Sequence, residues 1–455
     1  MESPLELNQE VLITIKKIGI NGEGIGYYKR QAVFVDGTIP PEEVVIRISD
    51  IKERHAIGEL VRVKKKAYYR VRPFCKHYDT CGGCQLQHVA YEEQQRLKED
   101  LLHQSFERYT KLDMGSVDFY PFNPLIRPKR YRQKAQMPVR NTEDGLKTGL
   151  YRKNSHKLVD VLDCPVQDER INKVNQEVLK ICDTHHLYAF DPAKMRGLLR
   201  YIVTRRSEAT GEMQVTLVIT IFNKALKNAA KDILALSDVT SVAISKNHDA
   251  KNPHIFGDTY EILEGKESIP EKLGDVTYWL NPKAFFQLNP TEAQSMYEYV
   301  KTLFDFSKEK TMVDLYTGSG GMALYFAKNF EQVTGIDVSS DSILSATRNR
   351  DYNKLDNVKF YEGDANKVLK NLTGQGKTYD VAIFDPSRTG LSSSLIRHLL
   401  NKPIKKLVYV SCNPSTLAKD IHQLSQKYKL VSSKPFDMFP NTSHVESVSL
   451  LKLKG

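Results

Sequence analysis

The chain has 455 residues, a net charge of +11 and a pI near 9.1, so it is long enough for two or three domains and its charge favours a polyanionic partner such as RNA, DNA or an anionic membrane. The N-terminus lacks the basic flank and the apolar run of a signal peptide, and no stretch approaches the roughly 20 apolar residues that a membrane helix needs. We therefore expect a cytosolic protein. Six cysteines are too few for a disulfide scaffold, so clustered ones are expected to be ligands or nucleophiles.

Short runs rich in β-branched residues fill the N-terminal part of the chain. VLITIKKIG, QAVFVDG, EEVVIRISD and IGELVRVKKK are separated by turns that contain glycine. Their even spacing predicts a small barrel of the OB type within residues 9–66. Such barrels often bind nucleic acid, but the fold alone does not establish that function.

Three closely spaced cysteines follow the barrel region in the pattern C-x5-C-x2-C, at Cys75, Cys81 and Cys84. A fourth, Cys164, stands far along the chain and precedes a proline. Three clustered thiolates and a distant one favour a [4Fe–4S] cluster. Zinc is the alternative, with His77 and His88 as substitute ligands, although structural zinc sites usually use two close ligand pairs.

The middle of the chain combines a helical run, basic stretches and alternating strand-like and helix-like segments. Residues 91–112 contain many strong helix formers and no Pro or Gly, which predicts a helix. Basic residues interleaved with aromatic ones fit phosphate contacts and base stacking, or alternatively a solvated basic face. One stretch contains Arg62, Lys64, Lys65, Lys66, Arg70 and Arg72 with Tyr68 and Tyr69, and the other contains Arg127, Lys129, Arg130, Arg132, Lys134 and Arg140 around Tyr131.

From about residue 280 apolar strands end in Gly, Asp, Ser or Cys and alternate with helical segments. TMVDLYTGSGG, EQVTGIDVS, VKFYEGD, YDVAIFDPS and KKLVYVSCNP are these strands. The alternation predicts a parallel doubly wound α/β sheet. We therefore expect three domains: a barrel at 1–68, an α+β domain at 69–278 and the doubly wound domain at 279–455.

Ligands of such sheets bind beyond the carboxyl ends of the strands, where the polar residues of this sequence fall. Asp314 leads into the glycine turn at residues 318–321. Asp337 ends the next strand and is placed to accept hydrogen bonds from a ribose, and Asp364 ends the third and is placed for an adenine edge. A dinucleotide would favour G-x-G-x-x-G, whereas G-S-G-G suits S-adenosylmethionine, which has no phosphates.

The last two strands carry reactive groups at their tips. Cys412 ends one strand in VYVSCNP, and Asp385 ends the strand before it in IFDPSR. Neighbouring strand tips face one crevice in this fold. A buried core cysteine is the ordinary alternative, but it fits poorly beside an acidic motif at a strand-end turn, so we interpret Cys412 as a nucleophile.

Together with AFFQLNP at residues 284–290 and the late DMFPNTSHVES, these motifs resemble those of the RNA uracil-5-methyltransferase family in both order and spacing. The N-terminal barrel resembles a TRAM domain, and the cysteines resemble the iron–sulfur module of the ribosomal branch. Two positions depart from the usual pattern: Thr317 stands where cysteine is common, and Ser387 replaces a second proline after Asp385.

The resemblance implies a Rossmann-like methyltransferase domain in which a thiolate adds to carbon 6 of uracil, carbon 5 is methylated and a base then removes the carbon 5 proton. It implies that Cys412 is the nucleophile, that Glu446 is the base, and that Asp385 hydrogen-bonds the uracil ring and helps to place it. It implies binding of the methyl donor by Gln287, Tyr316, Gly318, Asp337, Asp364 and Asp385. Candidate RNA contacts are Phe285, Gln287, Arg388 and Arg132, and the cluster ligands are Cys75, Cys81, Cys84 and Cys164.

The TRAM-like barrel together with the cysteine cluster favours 23S rRNA as substrate, with a uridine in a loop or bulge as target, because unstacking is cheap there. Some tRNA enzymes of the family also carry the cluster, so tRNA is the second candidate. Cytosine-5 methylation, a non-catalytic RNA-binding module for ribosome assembly and an iron–sulfur electron carrier are further alternatives. A monomer is the default expectation.

Overall fold

The structure is a computed structural model that describes residues 4–124, 127–249 and 254–455. Five strands form a closed N-terminal barrel in the order β1-β2-β3-β5-β4. Alternate residues of these strands are β-branched and point inward, so Ile13, Ile15, Val33, Val44 and Ile46 form its core. The predicted barrel is confirmed. Its strands are β1 (Glu10–Ile18), β2 (Gly24–Tyr28), β3 (Gln31–Val35), β4 (Glu43–Ile51) and β5 (His55–Lys65).

A seven-stranded sheet, in the order β13-β12-β11-β10-β7-β8-β9, forms the middle of the molecule. Two helices cover one face through apolar residues such as Ile171, Val178 and Ile233. Helix α1 (Tyr91–Tyr109) and the short strand β6 (Asp118–Phe119) precede this sheet in the chain. The sheet contains β7 (Lys134–Thr142), β8 (Gly145–Tyr151), β9 (Leu158–Asp160), β10 (Leu199–Arg206), β11 (Met213–Ile219), β12 (Val239–Lys246) and β13 (Tyr260–Gly265), with helices α2 (Glu169–Thr184) and α3 (Ala225–Leu234).

The C-terminal part contains a hairpin, an eight-stranded sheet and six helices. The hairpin is β14 (Ile269–Leu273) and β15 (Val276–Leu280). The later strands are β16 (Thr311–Leu315), β17 (Gln332–Asp337), β18 (Val358–Glu362), β19 (Val381–Phe384), β20 (Lys406–Ser411), β21 (Tyr428–Phe436) and β22 (Glu446–Leu453). The helices are α4 (Pro290–Thr302), α5 (Gly321–Phe326), α6 (Ser340–Tyr352), α7 (Ala365–Gly374), α8 (Ser393–Asn401) and α9 (Pro414–Leu424), and short 3-10 turns lie at Met114–Ser116 and Ala327–Asn329.

The order of the large sheet, β18-β17-β16-β19-β20-β22-β21-β6, reverses direction between β16 and β19. Strands β16 to β20 are parallel, and β22 runs antiparallel to β20. The predicted doubly wound α/β fold is therefore confirmed. A crevice is expected where the strand order reverses, beyond the carboxyl ends of β16 and β19.

Elements from outside residues 279–455 complete the core of this unit. Leu102 and Phe106 of α1 pack with residues of α9, and β6 pairs with β21. Leu273 and Tyr278 of the hairpin lie in the core on the other face of the sheet. Among the residues that the structure describes, no helix combines the length and the apolar composition needed to cross a membrane.

Candidate active site

A cavity of about 580 Å³ opens at the carboxyl ends of β16, β17, β19 and β20, where the strand order reverses. The loop before α4 and the segment before β22 close its sides. Predicted site residues at this cavity are Phe285, Gln287, Tyr316, Gly318, Asp337, Asp385, Arg388, Cys412 and Glu446. The fold thus brings together residues separated by up to 161 positions in the chain, from Phe285 to Glu446.

One half of the cavity is formed by the glycine turn after β16. Gly320 has φ 87° and Gly318 has φ 55°, a left-handed conformation that favours glycine. Apart from Gly318 and its two chain neighbours, no atom of the described residues lies within 4 Å of the position that a Cβ of Gly318 would take, so the turn leaves open space for a ligand. Asp337 fixes the turn, since its Oδ2 accepts the Gly318 N–H at 2.9 Å and its Oδ1 accepts the Ser339 N–H at 2.9 Å.

The strand that leads into this turn ends in a buried carboxyl. Asp314 Oδ2 accepts hydrogen bonds from Thr317 Oγ1 at 2.6 Å and from the Ala323 N–H at 2.9 Å. Burial raises the pKa of Asp314 to about 7. The threonine that departs from the family pattern therefore ties the turn to its strand. The next residue after the strand, Tyr316, has φ 69°, a conformation rare in residues other than glycine and often found at functional sites.

The nucleophile candidate lies in the other half. Strand β20 ends at Ser411 because Asn413 caps α9, accepting from the N–H groups of Ser415 and Thr416, and Pro414 occupies the first helical position. Cys412 is left between strand and helix, at the cavity wall. Burial raises the pKa of its thiol to about 11, the negative charges of Glu446 and Asp385 add to this effect, and Arg388 opposes it.

Glu446 begins β22 directly beside the nucleophile. Ser411 of β20 pairs with Ser447 of β22, so Cys412 and Glu446 each lie one residue beyond the last pair of the ladder. The Glu446 side chain is buried, and its Oε1 has no hydrogen-bond partner within the described structure. Burial raises the pKa of Glu446 well above its ordinary value, the Asp385 charge raises it further, and Arg388 lowers it.

Asp385 follows β19, next to β20 in the sheet, as the sequence pattern predicted. Burial raises its pKa to about 7. Three acidic groups of the cavity, Asp385, Cys412 and Glu446, therefore have raised pKa values in the free protein. Arg388 is the cation that favours the charged forms of both Cys412 and Glu446.

His444 also lies at the cavity and was missed by the sequence analysis. Its two ring nitrogens lie 3.3 and 3.2 Å from Arg388 Nη2, and its ring contacts the edge of Phe439. Burial and nearby cations, Arg388 first among them, lower the pKa of His444 to about 4, so the ring is neutral at physiological pH. A usable signal existed, since residues two apart on an extended segment share a face and His444 precedes Glu446 by two.

Two predicted site residues do not line the cavity. Asp364 is exposed and caps α7, accepting from the Lys367 N–H at 3.0 Å. Arg132 donates from Nε to the carbonyl of Lys134 at 3.0 Å, and its charge is one of those that lower the pKa of His444. Phe285 stands at the cavity with 64% of its surface exposed, which is unusual for a large apolar side chain.

The predicted cluster cysteines Cys75, Cys81 and Cys164 lie within electrostatic range of Cys84. Burial raises the pKa of Cys84 to about 12, and the charges of Cys164, Cys81 and Cys75 also raise it. Cys84 and Cys164 pack in one apolar cluster with Tyr131. In the described part of the chain, no group of three or more His, Cys, Asp or Glu side chains is arranged to hold a metal ion.

Several residues of the two basic stretches are engaged inside the protein. Arg70 pairs with the buried Glu42, and Arg130 pairs with Asp163 at 2.7 Å. The rings of Tyr69 and Tyr131 are buried, whereas Tyr68 is 83% exposed. Of the three aromatic residues in these stretches, Tyr68 is therefore the one available for stacking.

Comparisons with known proteins agree with this arrangement. Residues 90–454 match the tRNA (Uracil-5-)-methyltransferase family, and residues 4–61 match the TRAM domain. An uncharacterized RNA methyltransferase of Listeria monocytogenes serotype 4b is 41% identical over 100% of this chain and 99% of its own. One of Streptococcus pneumoniae strain R6 is 35% identical, with 98% of each chain covered. The Pyrococcus abyssi tRNA (uracil-54, C5)-methyltransferase, crystallised with S-adenosyl-L-homocysteine, has a TM-score of 0.76 and 29% identity over 96% of this chain and 98% of its own.

Proposed function

Since the chain belongs to the tRNA (uracil-5-)-methyltransferase family, we propose that it methylates carbon 5 of a uridine in RNA, with S-adenosylmethionine as methyl donor and Cys412 as covalent nucleophile. The observation that carries this proposal is the meeting of Cys412 and Glu446 at the ends of paired strands, in the cavity that also contains the glycine turn. The reaction needs a nucleophile and a base on one base ring, and this geometry provides both.

The residues present fit the methyl donor. The open space over Gly318 admits a ligand close to the backbone, and the Asp337 carboxylate at the end of β17 is placed for the ribose hydroxyls. Tyr316 and Gln287 lie at the same cavity. When bound there, S-adenosylmethionine supplies an electrophilic methyl group.

Cys412 starts the reaction by adding its sulfur to carbon 6 of uracil, which makes carbon 5 nucleophilic. Because the pKa of the thiol is raised to about 11 in the free protein, Arg388 has the role of favouring the thiolate. The target base must leave its stack to reach this cavity, and the exposed Phe285 ring is placed to stack on it. Asp385 lies where it can hydrogen-bond the base edge.

Glu446 finishes the reaction by removing the carbon 5 proton, after which the bond between carbon 6 and sulfur breaks and the thiolate leaves. A base needs an acceptor without a competing partner, and Glu446 Oε1 has none within the described structure. Its raised pKa makes it a strong proton acceptor once it is ionised.

The favoured substrate is 23S rRNA, supported by the combination of a TRAM domain with four neighbouring cysteines. The second candidate is tRNA, favoured by the likeness to the Pyrococcus abyssi tRNA enzyme over nearly the whole chain. The test offers unmodified 23S rRNA, 16S rRNA and bulk tRNA separately with methyl-labelled donor, followed by nucleoside analysis. Labelled 5-methyluridine in 23S rRNA would support the first substrate, and labelled 5-methyluridine in tRNA would support the second. The absence of label from all three RNAs would overturn the proposal that the protein is an enzyme acting on them.

We also propose that Cys75, Cys81, Cys84 and Cys164 hold a [4Fe–4S] cluster. The charges of Cys75, Cys81 and Cys164 act on Cys84, and Cys84 packs in one cluster with Cys164, which supports a shared cluster over isolated reactive cysteines. Iron and sulfide analysis after anaerobic purification tests this. Cys164→Ala should lose the iron, and the control Cys182→Ala, a buried cysteine in the core of the middle domain, should keep it. Zinc without iron in the wild type would overturn the proposal.

A further inference from the structure

The segment at residues 437–446 leads to the base Glu446 and is hydrogen-bonded to several distant parts of the chain. We call it the base-bearing segment. On the helix side, the buried Lys98 of α1 donates to Asp437 Oδ1 at 2.7 Å and to the Phe439 carbonyl at 3.1 Å. On the barrel side, Ser443 Oγ donates to the Ile20 carbonyl at 3.0 Å.

Asn441, within the base-bearing segment, forms hydrogen bonds with three other parts of the chain. Its N–H donates to Gln94 Oε1 of α1 at 3.0 Å, and its Oδ1 accepts from Gln94 Nε2 at 3.3 Å. Its Nδ2 donates to the Pro128 carbonyl in the second basic stretch at 2.7 Å. Its carbonyl accepts from the N–H groups of Gln85 and Leu86, directly after Cys84, at 3.0 and 2.9 Å.

The backbone of Asn441 adopts a conformation that must be held in place. Its φ is 69°, in the left-handed region, and the residue is only 2% exposed. Such a conformation costs free energy in a residue with a side chain and persists where the surroundings fix it. Hydrogen bonds to α1, to the second basic stretch and to the loop that contains Cys75, Cys81 and Cys84 (the cysteine loop) hold the Asn441 backbone in place. Asn441 precedes His444 by three residues and Glu446 by five.

We propose that Asn441 is a positioning residue for the second half of the reaction, one that holds Glu446 and His444 in register beside Cys412. This inference rests on the proposed function and deepens it. It also gives the cysteine loop a role: through the N–H groups of Gln85 and Leu86, the loop braces the segment that carries the base.

The proposal separates two chemical steps. Addition of Cys412 to carbon 6 and methylation of carbon 5 do not use Glu446. Release does: the carbon 5 proton goes to the Glu446 carboxylate, the electrons of that bond form the carbon 5–carbon 6 double bond, and the carbon 6–sulfur bond breaks. A base that is misplaced by loss of Asn441 therefore leaves methylated RNA attached to Cys412.

The test uses the full-length Asn441→Gly variant, because glycine accepts φ 69° and the substitution removes only the side-chain bonds. Gln94→Met, of similar size, removes both hydrogen bonds between Gln94 and Asn441 and also the bond from Gln94 Nε2 to the Val89 carbonyl. Asn357→Ala is the control: the side chain of this asparagine likewise ties chain segments together, by donating to the carbonyls of Ala327 and Phe330, but it lies before β18 at the opposite end of the sheet. Each protein is given the RNA that the wild type methylates.

We expect both variants to lose on the order of 10- to 100-fold in turnover, as displacement of a catalytic group by about 1 Å does. One equivalent of methyl should still be transferred, and an RNA–protein adduct should persist on a denaturing gel. S-adenosylhomocysteine should bind as in the wild type. Asn357→Ala should form no persistent adduct. Equal loss of donor binding, first methyl transfer and turnover would overturn the proposal, as would normal release.

A second measurement needs no RNA, so it separates failure of this inference from failure of the proposed function. Because the Glu446 charge raises the pKa of Cys412, displacement of Glu446 should lower that pKa. The Cys412 peptide of Asn441→Gly should then be alkylated faster than that of the wild type at pH 8, by mass spectrometry. An unchanged alkylation rate would contradict the inference even if the wild type methylated no RNA tested.

Discussion

Cys412 and Glu446 lie opposite each other, one residue beyond the Ser411–Ser447 pair that ends the ladder of β20 and β22. Because β22 runs antiparallel, the last strand-forming part of the chain returns to the tip of the strand that carries the nucleophile. The strand pairing sets the register of both residues, and the base-bearing segment leads into β22 at Glu446. Substitutions at the two positions should therefore separate the steps cleanly.

Cys412→Ala should abolish methylation and form no RNA adduct, because no sulfur is left to add to carbon 6. Glu446→Gln should transfer one methyl group and then stop with RNA attached to the protein, since the amide cannot take the carbon 5 proton. Turnover should fall about 10²- to 10⁴-fold, the usual contribution of a general base. Denaturing gels with labelled donor check both outcomes, and an adduct in Cys412→Ala would refute the assignment of the nucleophile.

Alkylation of Cys412 should report the charges around it. The pKa of the thiol is raised to about 11 by burial, by Glu446 and by Asp385, and is lowered by Arg388. Below this pKa the thiolate fraction rises about tenfold for each unit by which the pKa falls. Glu446→Gln and Asp385→Asn should thus speed alkylation at pH 8, and Arg388→Ala should slow it. Equal rates in all three variants would show that these charges do not act on the thiol.

The sequence predicted most of the cavity residues that lie at the ends of strands. Parallel strands place their carboxyl ends at one edge of the sheet, and short motifs marked the ends of β16, β17, β19 and β20. Glu446 depended on a resemblance, since a glutamate late in a chain carries no signal of its own. His444 was missed although it precedes Glu446 by two positions on an extended segment, where the two residues share a face. A carboxylate after a strand is also the usual cap of the next helix, and Asp364 caps α7. Its contact with the adenine edge stays a prediction.

The basic stretches show a different limit of the sequence. Charge alone does not tell a phosphate contact from an internal ion pair, and Arg70 and Arg130 prove to be paired with Glu42 and Asp163. These partners lie 28 and 33 positions away in the chain. Such pairs form only when the tertiary fold brings them together, so local composition could not reveal them.

Asp314 should make stability depend on pH. Its pKa is raised to about 7 by burial, from an ordinary value of 3.8, so between these values the folded protein holds a proton that the unfolded chain has lost. The contribution of this group to stability is therefore highest below about pH 4 and falls as pH rises to about 7, by at most about 1.4 kcal/mol per pH unit. Urea unfolding of wild type and Asp314→Asn at pH 5, 6 and 7 checks this. The free energy of unfolding should fall less steeply with pH in the variant than in the wild type. Equal pH dependence in the two proteins would contradict the raised pKa of Asp314.

The buried pair of Lys98 and Asp437 should anchor the base-bearing segment to α1. Both side chains are almost fully buried, at 0% and 1% exposure, and Asp437 Oδ2 also accepts from the Tyr91 hydroxyl at 2.9 Å. Lys98→Met leaves an unpaired buried carboxylate, which should cost about 3–5 kcal/mol in the free energy of unfolding. Lys98→Met with Asp437→Asn removes both charges and keeps an acceptor for Tyr91, so it should recover most of that loss. Additive losses in the double variant, measured by urea unfolding, would show that the two residues do not act as a pair. If stability recovers but release of methylated RNA stays slow, then the ion pair sets the position of the base as well as the stability of the fold.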